Sequence, residues 1–298
     1  MNFLLVIAIS FRIMFYNCEN LLHSNGHVYD KLTNLTRVIV AAGKGEPPAI
    51  IGLAEVENDS IMTRWVRYTP LSKWQYRYVI THSPDKRGIN VALMYRTHEF
   101  RLLGSNEHLV AMPKGVKSTR NILHAWGRVV SGDTLDVLVC HFPSRYGGKK
   151  ASDKSRAVAH AKAVQIMDSL QQCRQNPNIV LMGDMNDYPT SKAVIKDFDR
   201  YVNLMYPLQL ELRKGSLEYG SHKYAGEWGF LDQFIVNEAL TDSVYNNIFV
   251  RDAKAFALPF MLTYDEKNLG LRPKRSRYGY KYEGGFSDHL PIVMVLRL

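Results

Sequence analysis

Cysteine is scarce in this sequence: Cys18, Cys140 and Cys173 are the only three in 298 residues. An odd count argues against a disulfide framework, and two of the three fall in strand-like runs, where a buried thiol acts as a small hydrophobe. No cluster of Cys and His has zinc-ligand spacing, which excludes a structural zinc module. A membrane-spanning run is also missing: the apolar stretch Phe3–Ile9 is far shorter than the roughly 20 residues needed to span a bilayer. It has the length of a signal-peptide core, but no Lys or Arg precedes it and no Ala-x-Ala site follows. We therefore read residues 1–10 as a surplus segment. A degenerate or truncated signal is favoured over a longer first strand or a misplaced start, and an exported location over a cytoplasmic one. Ser/Gly-rich linkers, low-complexity tracts and internal repeats are absent too, so residues 11–298 are expected to form one domain. Acidic residues are outnumbered, 28 against 38 basic, giving a net charge of +10. That balance favours polyanionic partners such as nucleic acid or anionic lipid headgroups. The hydrophobic content, 46%, is ordinary for a soluble globular chain.

What the sequence does contain is organised around Asn178–Pro189. Ile179–Met182 is a short apolar run, too short for a helix and suited to a buried strand. Gly183 breaks it, and Asp184 and Asn186 follow two positions apart, on one side of an extended chain. Pro189 then stops strand pairing. A carboxylate at the end of a buried strand is costly unless a cation or donors meet it. Alone, the stretch reads first as an Asx turn leaving a strand. Two further strand-like runs carry polar groups at or beside their ends: Asp232 in Trp228–Val236, and Ser287-Asp288-His289 before Ile292–Leu296.

The remaining chain alternates strand and helix patterns. Strands are expected over Phe11–Tyr16, ending at Asn17, over Ala49–Ala54, ending at Glu55, and over Tyr76–Ile80, Ile89–Tyr95, Ile122–Val130 and Leu135–Cys140, the last ending at His141. Helices are expected over Tyr29–Ala42, Ile61–Tyr68 and Ser155–Cys173, the last with apolar positions 158, 161, 164, 167 and 170. Ser191–Tyr219 reads as irregular with one short helix. Asp252–Tyr282 lacks periodicity, but Lys274, Arg275 and Arg277 alternate with Tyr278, Tyr280 and Tyr282. Such a loop suits phosphate contact with base stacking and equally suits solvation. Lys86, Arg87, Arg120 and Arg128 are candidates for phosphate contacts or for internal salt bridges. The basic residues Lys149, Lys150, Lys154 and Arg156 near the start of the long helix oppose its dipole, so a nearby anion would be stabilising. Alternating strands and helices imply a layered α/β protein.

Taken together, Asn17 with Glu19, Glu55 in Gly-Leu-Ala-Glu-Val-Glu-Asn, His141 in Val-Cys-His-Phe-Pro-Ser-Arg, Gly183-Asp184-Met185-Asn186, Asp232 and Ser287-Asp288-His289 resemble the endonuclease/exonuclease/phosphatase superfamily. The ordered set runs from residue 17 to residue 289 and is nearest to bacterial secreted or periplasmic nuclease-like members. The resemblance implies a four-layer αββα sandwich of two mixed sheets with the site at one edge. It implies a divalent metal, Mg²⁺ or substituting Mn²⁺, at Asn17, Glu55 and Asp288, with Glu19 in support; Glu55 is preferred over Glu57 because it follows the apolar run directly. It implies that Asp184 with Asn186 positions or deprotonates water, that His289 contacts phosphate or acts as acid or base, and that Asp232 orients His289. His141 and Arg145, with Asn186, would hold the phosphate. Both Asp184 and His289 stay open as the base. The expected activity is phosphodiester hydrolysis by a monomer with nucleic acid, most simply DNA, as substrate. Inositol phosphates or phospholipids are the alternative substrates, and a non-catalytic nucleic-acid-binding protein is the alternative of another class.

Overall fold

The computed structural model describes residues 10–43, 45–145, 149–244, 246, 248–279 and 281–298, and the side chains of 149–151 lie outside that description. Residues 1–9, which carry the signal-like run, and Tyr280 also lie outside the described residues.

One six-stranded sheet contains β1 (Ser10–Leu21), β2 (Ile50–Val56), β3 (Tyr76–Ile80), β4 (Asn90–Arg96), β13 (Phe249–Ala255) and β18 (Ile292–Arg297), in the order β13-β18-β1-β2-β4-β3. The other contains β5 (Phe100–His108), β6 (Ile122–Val129), β7 (Thr134–His141), β8 (Ile179–Asp184), β9 (Val202–Asn203) and β12 (Asp232–Val236), in the order β5-β6-β7-β8-β12-β9. Both sheets are mixed: β1 runs parallel to β2 and β7 parallel to β8, and the other ladders are antiparallel. The helices are α1 (Val28–Ala42), α2 (Asp59–Tyr68), α3 (Lys149–Cys173), α4 (Lys192–Asp197) and α5 (Met205–Arg213). Three short hairpins complete the described chain: β10–β11 (His222–Tyr224 with Glu227–Gly229), β14–β15 (Leu262–Tyr264 with Leu271–Pro273) and β16–β17 (Arg277–Tyr278 with Lys281–Tyr282).

Side-chain alternation along the strands builds the layers. Phe11, Ile13 and Phe15 of β1 meet Val180 and Met182 of β8 and Val137 and Val139 of β7 in a core between the sheets. The opposite face of β1, Met14, Tyr16 and Cys18, packs under α1 and α2 with Leu35, Ile39 and Trp65. Ile179 and Leu181 of β8 pack under α3 with Ala163 and Met167. Three cores between four layers give the expected αββα sandwich. Each fully buried Phe contributes on the order of 2 kcal/mol through the water it no longer orders. A Cβ on Gly183 would lie 2.2 Å from the Cys140 carbonyl oxygen, so only glycine lets β8 close on β7 just before Asp184.

Several expectations are corrected. The first two strands do not stop at Asn17 and Glu55. They run on to Leu21 and Val56 because irregular registers absorb the site residues, between Asn17 and Leu21 and between Ala54 and Val56. Residues 191–219 hold two helices, α4 and α5, and not one. β5 and β13 carried no usable pattern, since both are edge strands with mostly polar or part-exposed side chains. The buried stripe of α3 is Arg156, Ala159, His160, Ala163, Ile166, Met167 and Leu170, so a strict three-residue spacing misplaces it in the first turns. Arg156 and His160 hide the true stripe from a hydrophobicity count, because each is buried against an acid partner. Among the described residues no helix is long and apolar enough to cross a membrane.

Candidate active site

The parallel pairs place the C-terminal ends of β1 and β2, and of β7 and β8, at one edge of the sandwich, and the antiparallel β12 and β18 begin there. Asn17, Glu55, His141, Asp184, Asn186, Asp288 and His289 thereby reach a single cleft of about 620 Å³. Arg145 also lines it, and Asp232 lies directly behind, 1% exposed. The structure thus brings the expected catalytic, phosphate-contacting and metal-ligating residues together, with Glu19 set apart.

Asp184 is the hub. Its Oδ2 accepts from Asn17 Nδ2 at 3.0 Å and its Oδ1 from the Asn186 amide at 2.9 Å. His141 Nε2 and His289 Nε2 approach the same Oδ2 at 3.5 and 3.8 Å. Burial, with Asp232 adding to it, pushes the Asp184 carboxyl up to about 7 against the pull of His289, Asn186 and Asn17. His289 Nδ1 donates to Asp232 Oδ2 at 2.7 Å. Burial alone would lower this imidazole. The charge and hydrogen bond of Asp232, joined by Asp184 and Asp288, outweigh burial and hold it well above the ordinary value. His141 behaves oppositely: burial, with Arg120, Arg87 and His289 nearby, holds it well below that value. Its Nδ1 is buried with no hydrogen-bond partner among the described residues.

On the opposite wall, Glu55 Oε2 accepts from the Asn20 amide at 2.7 Å and from Arg87 at 2.9 Å. Glu57 instead faces His23, outside the cleft. Asp288 accepts from Arg275 at 3.2 Å. Burial would raise its carboxyl, but His289, His222, Arg275 and Lys31 outweigh that and lower it. Arg145 Nε donates to the Asn186 carbonyl at 3.1 Å, pairs with Asp187 and lies 5.1 Å from the Tyr188 ring. Its guanidinium is thus fixed at the rim.

The donors at Glu55, Asn17 and Asp288 are oxygen-rich and fit a hard divalent cation. Among the described residues Glu55 Oε1 accepts no hydrogen bond, with His141 Nε2 at 4.0 Å, and Oε2 already draws the positive Arg87. Asp184, Asp232 and His289 form one grouping able to hold a metal ion, and His222, Asp288 and His289 a second.

Other candidates belong elsewhere. The Glu19 carboxylate does not support Asn17. It turns inward to Arg275 at 3.0 Å and to the Ser276 amide and hydroxyl, both at 2.7 Å, and burial raises it. Only the Glu19 backbone N–H serves Asn17, donating to Oδ1 at 2.9 Å. Arg275 bridges Glu19 and Asp288, and Arg277 donates to the Asn25 carbonyl, so neither is a solvated substrate loop; with Lys274 they stay off the cleft wall. Arg120 is likewise internal, donating to the His141 and Phe142 carbonyls and to Asp85. Arg128 is exposed on β6 and outside the cleft lining. Sequence reasoning missed Asn20, Tyr188, Tyr224, Leu231 and His222 as cleft residues. Only the spacing of Asn20 from Asn17 carried a local signal.

A family model described as the Endonuclease/Exonuclease/phosphatase family matches residues 19–298. No curated protein sequence matches this chain. Among solved structures, the human Nocturnin catalytic domain with bound sulfate is similar at 18% identity and a TM-score of 0.64, covering 96% of this chain and 93% of that one. The Bacteroides thetaiotaomicron mannosyl-6-phosphatase is similar at 16% identity and 0.62, covering 97% and 100%. D. rerio TDP2 complexed with single strand DNA product is similar at 16% identity and 0.60, covering 97% and 99%.

Proposed function

This chain belongs to the endonuclease/exonuclease/phosphatase family, and from that premise we propose that it is a divalent-metal-dependent phosphodiesterase, with Mg²⁺ as the working ion and nucleic acid, most simply DNA, as substrate. The observation that carries the reading is the facing of a carboxyl and an imidazole that both hold their protons more tightly than usual. Asp184 is raised to about 7 and His289 is held charged by Asp232, 3.8 Å apart across the cleft floor. A base works best with a pKa near the operating pH, which favours Asp184 for taking the proton from water. The charged His289 then serves as phosphate contact and as donor to the departing oxygen when the phosphorus–oxygen bond breaks. Asn186 fixes the Asp184 carboxylate, and Asn17 holds its other oxygen. Arg145 and His141 line the path of the phosphate. Glu55, with Asn17 and Asp288, would hold the cation, whose charge polarises the phosphate and steadies the leaving oxygen.

Nucleic acid is favoured by the net charge of +10 and by Tyr224 at the cleft, 72% exposed, which offers a face on which a base can stack. That one structural neighbour holds single strand DNA product adds support. The test is turnover on plasmid DNA, RNA, bis-p-nitrophenyl phosphate, a phospholipid and a sugar monophosphate. Cleavage of DNA and the diester, abolished by EDTA and restored by Mg²⁺ or Mn²⁺, is the expected result. Hydrolysis of the monophosphate or the phospholipid alone removes the nucleic-acid reading. Full activity after metal stripping removes the metal role.

A further inference from the structure

His222 has no task in the reaction just described, yet it stands against the reacting histidine. It opens β10 and forms an isolated antiparallel bridge to His289 through the backbone. Its ring lies 4.7 Å from the His289 ring at 45°. One ligand atom from each of His222, Asp288 and His289 lies within 4.8 Å of the other two. Two imidazoles and one carboxylate do not make a magnesium site, which wants oxygen. They are the donor set of zinc and of the later first-row divalent ions. The rest of the arrangement agrees. Asp232 holds Nδ1 of His289 at 2.7 Å, which leaves Nε2 for an ion, the carboxylate–histidine support that metal-ligating imidazoles commonly have. All three residues line the cleft, so a fourth position faces the substrate path.

We propose that His222, Asp288 and His289 form a second metal site, selective for Zn²⁺-class ions, that shares Asp288 with the Glu55 and Asn17 set but takes its two imidazoles from outside it, and that an ion bound there switches the phosphoesterase off by taking His289 out of use. The ion must displace the proton on His289 Nε2, so occupancy requires a real excess of ligand affinity over that proton. Inhibition rests on the phosphoesterase reading; binding does not.

The experiment uses the metal-stripped full chain in excess Mg²⁺, titrated with Zn²⁺ by calorimetry and with Co²⁺ by visible absorption. Wild type should bind one ion. Glu55→Gln should bind it with similar affinity, while His222→Gln should lose on the order of a hundredfold, as losing a ligand costs at least what losing a ligand's support does. Zn²⁺ inhibition, measured for each protein against its own zinc-free rate, should shift by the same factor in His222→Gln. Equal affinity in wild type and His222→Gln overturns the site, as does loss in Glu55→Gln matching that in His222→Gln. X-ray absorption on zinc-loaded wild type needs no variant: two imidazole ligands support the site, and none or one overturns it. If zinc binds as described and no substrate is turned over, the phosphoesterase reading has failed and the metal site has not.

Discussion

Two buried His–Asp pairs in this molecule share one contact distance and are pushed in opposite directions. His289 and Asp232 meet at 2.7 Å at the cleft, and His160 on α3 meets Asp197 at 2.7 Å under the second sheet. His289 is held well above the ordinary imidazole value, yet burial lowers His160 in spite of its partner. The difference lies in the surroundings. Asp184 and Asp288 join Asp232 around His289, and Asp232 is almost wholly buried. His160 sits between the Phe142 and Phe198 rings at 5.1 and 5.2 Å, and Asp197 is 28% exposed, where water screens it. One hydrogen bond does not charge a buried histidine; a convergence of unscreened carboxylates does.

The sharpest way to break this comparison is to cut both pairs. His289→Ala and Asp232→Asn should each lower turnover on the order of a hundredfold or more, as loss of a positioned acid or base does. The double mutant should be little worse than His289→Ala, because residues acting as a unit are non-additive. His160→Ala and Asp197→Asn should lower the melting temperature and leave turnover at saturating Mg²⁺ unchanged. A double-mutant cycle on kcat checks this. Losses that multiply fully give Asp232 an independent role, and a turnover loss in His160→Ala equal to that in His289→Ala erases the distinction.

Asp184 offers a smaller effect of unusual sign. A carboxyl raised to about 7 holds its proton in the folded chain through a window where the unfolded chain has released it. Its contribution is therefore greatest below that window and falls as pH climbs from about 4 to about 7. Asp184→Asn removes this penalty. At pH 8 and without metal it should be more stable than wild type, on the order of 4 kcal/mol, since each tenfold change in proton affinity is worth about 1.4 kcal/mol and the value of about 7 already includes the attraction of His289. The same variant should lose the rise of kcat/KM through pH 7. Denaturant melts at pH 5 and pH 8 decide it: a variant less stable at pH 8 means that Asp184 is paired more favourably than its burial suggests.

How much of this was legible depended on the kind of signal. Asn17, Glu55, Asp184 and Asp232 each interrupt or end an apolar strand run and His289 stands just ahead of one, so the sequence marks them where backbone period and polarity disagree. The backbone carries a related mark at Glu55, which takes positive φ, as do Glu19, Asn20 and Asn186 next to the site. Non-glycine residues there hold strain of about 1–3 kcal/mol that the surrounding hydrogen bonds must offset. His222 was invisible because its importance is a ring contact 67 positions from its partner (289 − 222), in a three-residue strand without hydrophobic pattern. Arg275 misled because a basic, aromatic-rich loop reads alike whether its charges face solvent or bridge Glu19 to Asp288. β13 failed on edge-strand chemistry, since Arg251, Asp252 and Lys254 put charge where a central strand would put apolar groups.

The smallest effect separates the two histidines by the side of the pH curve each one shapes. His160 is lowered, so the unfolded chain takes up its proton first on acidification. Its contribution is present above the ordinary imidazole value near 6.5 and is lost as pH falls below it. His289 is raised, so its contribution is full below that value and is lost as pH rises through the folded one. His160→Gln should therefore flatten the acid limb of stability below about pH 6.5 and leave the alkaline limb alone. His289→Gln leaves Asp232 and Asp184 without their imidazolium and is expected to be less stable overall, but its signature is a flattened alkaline limb. Melting temperature against pH, read as the slope of each limb relative to wild type, gives the answer. If both variants change the same limb, the two pairs titrate alike, and the surrounding carboxylates do not set the charge of His289.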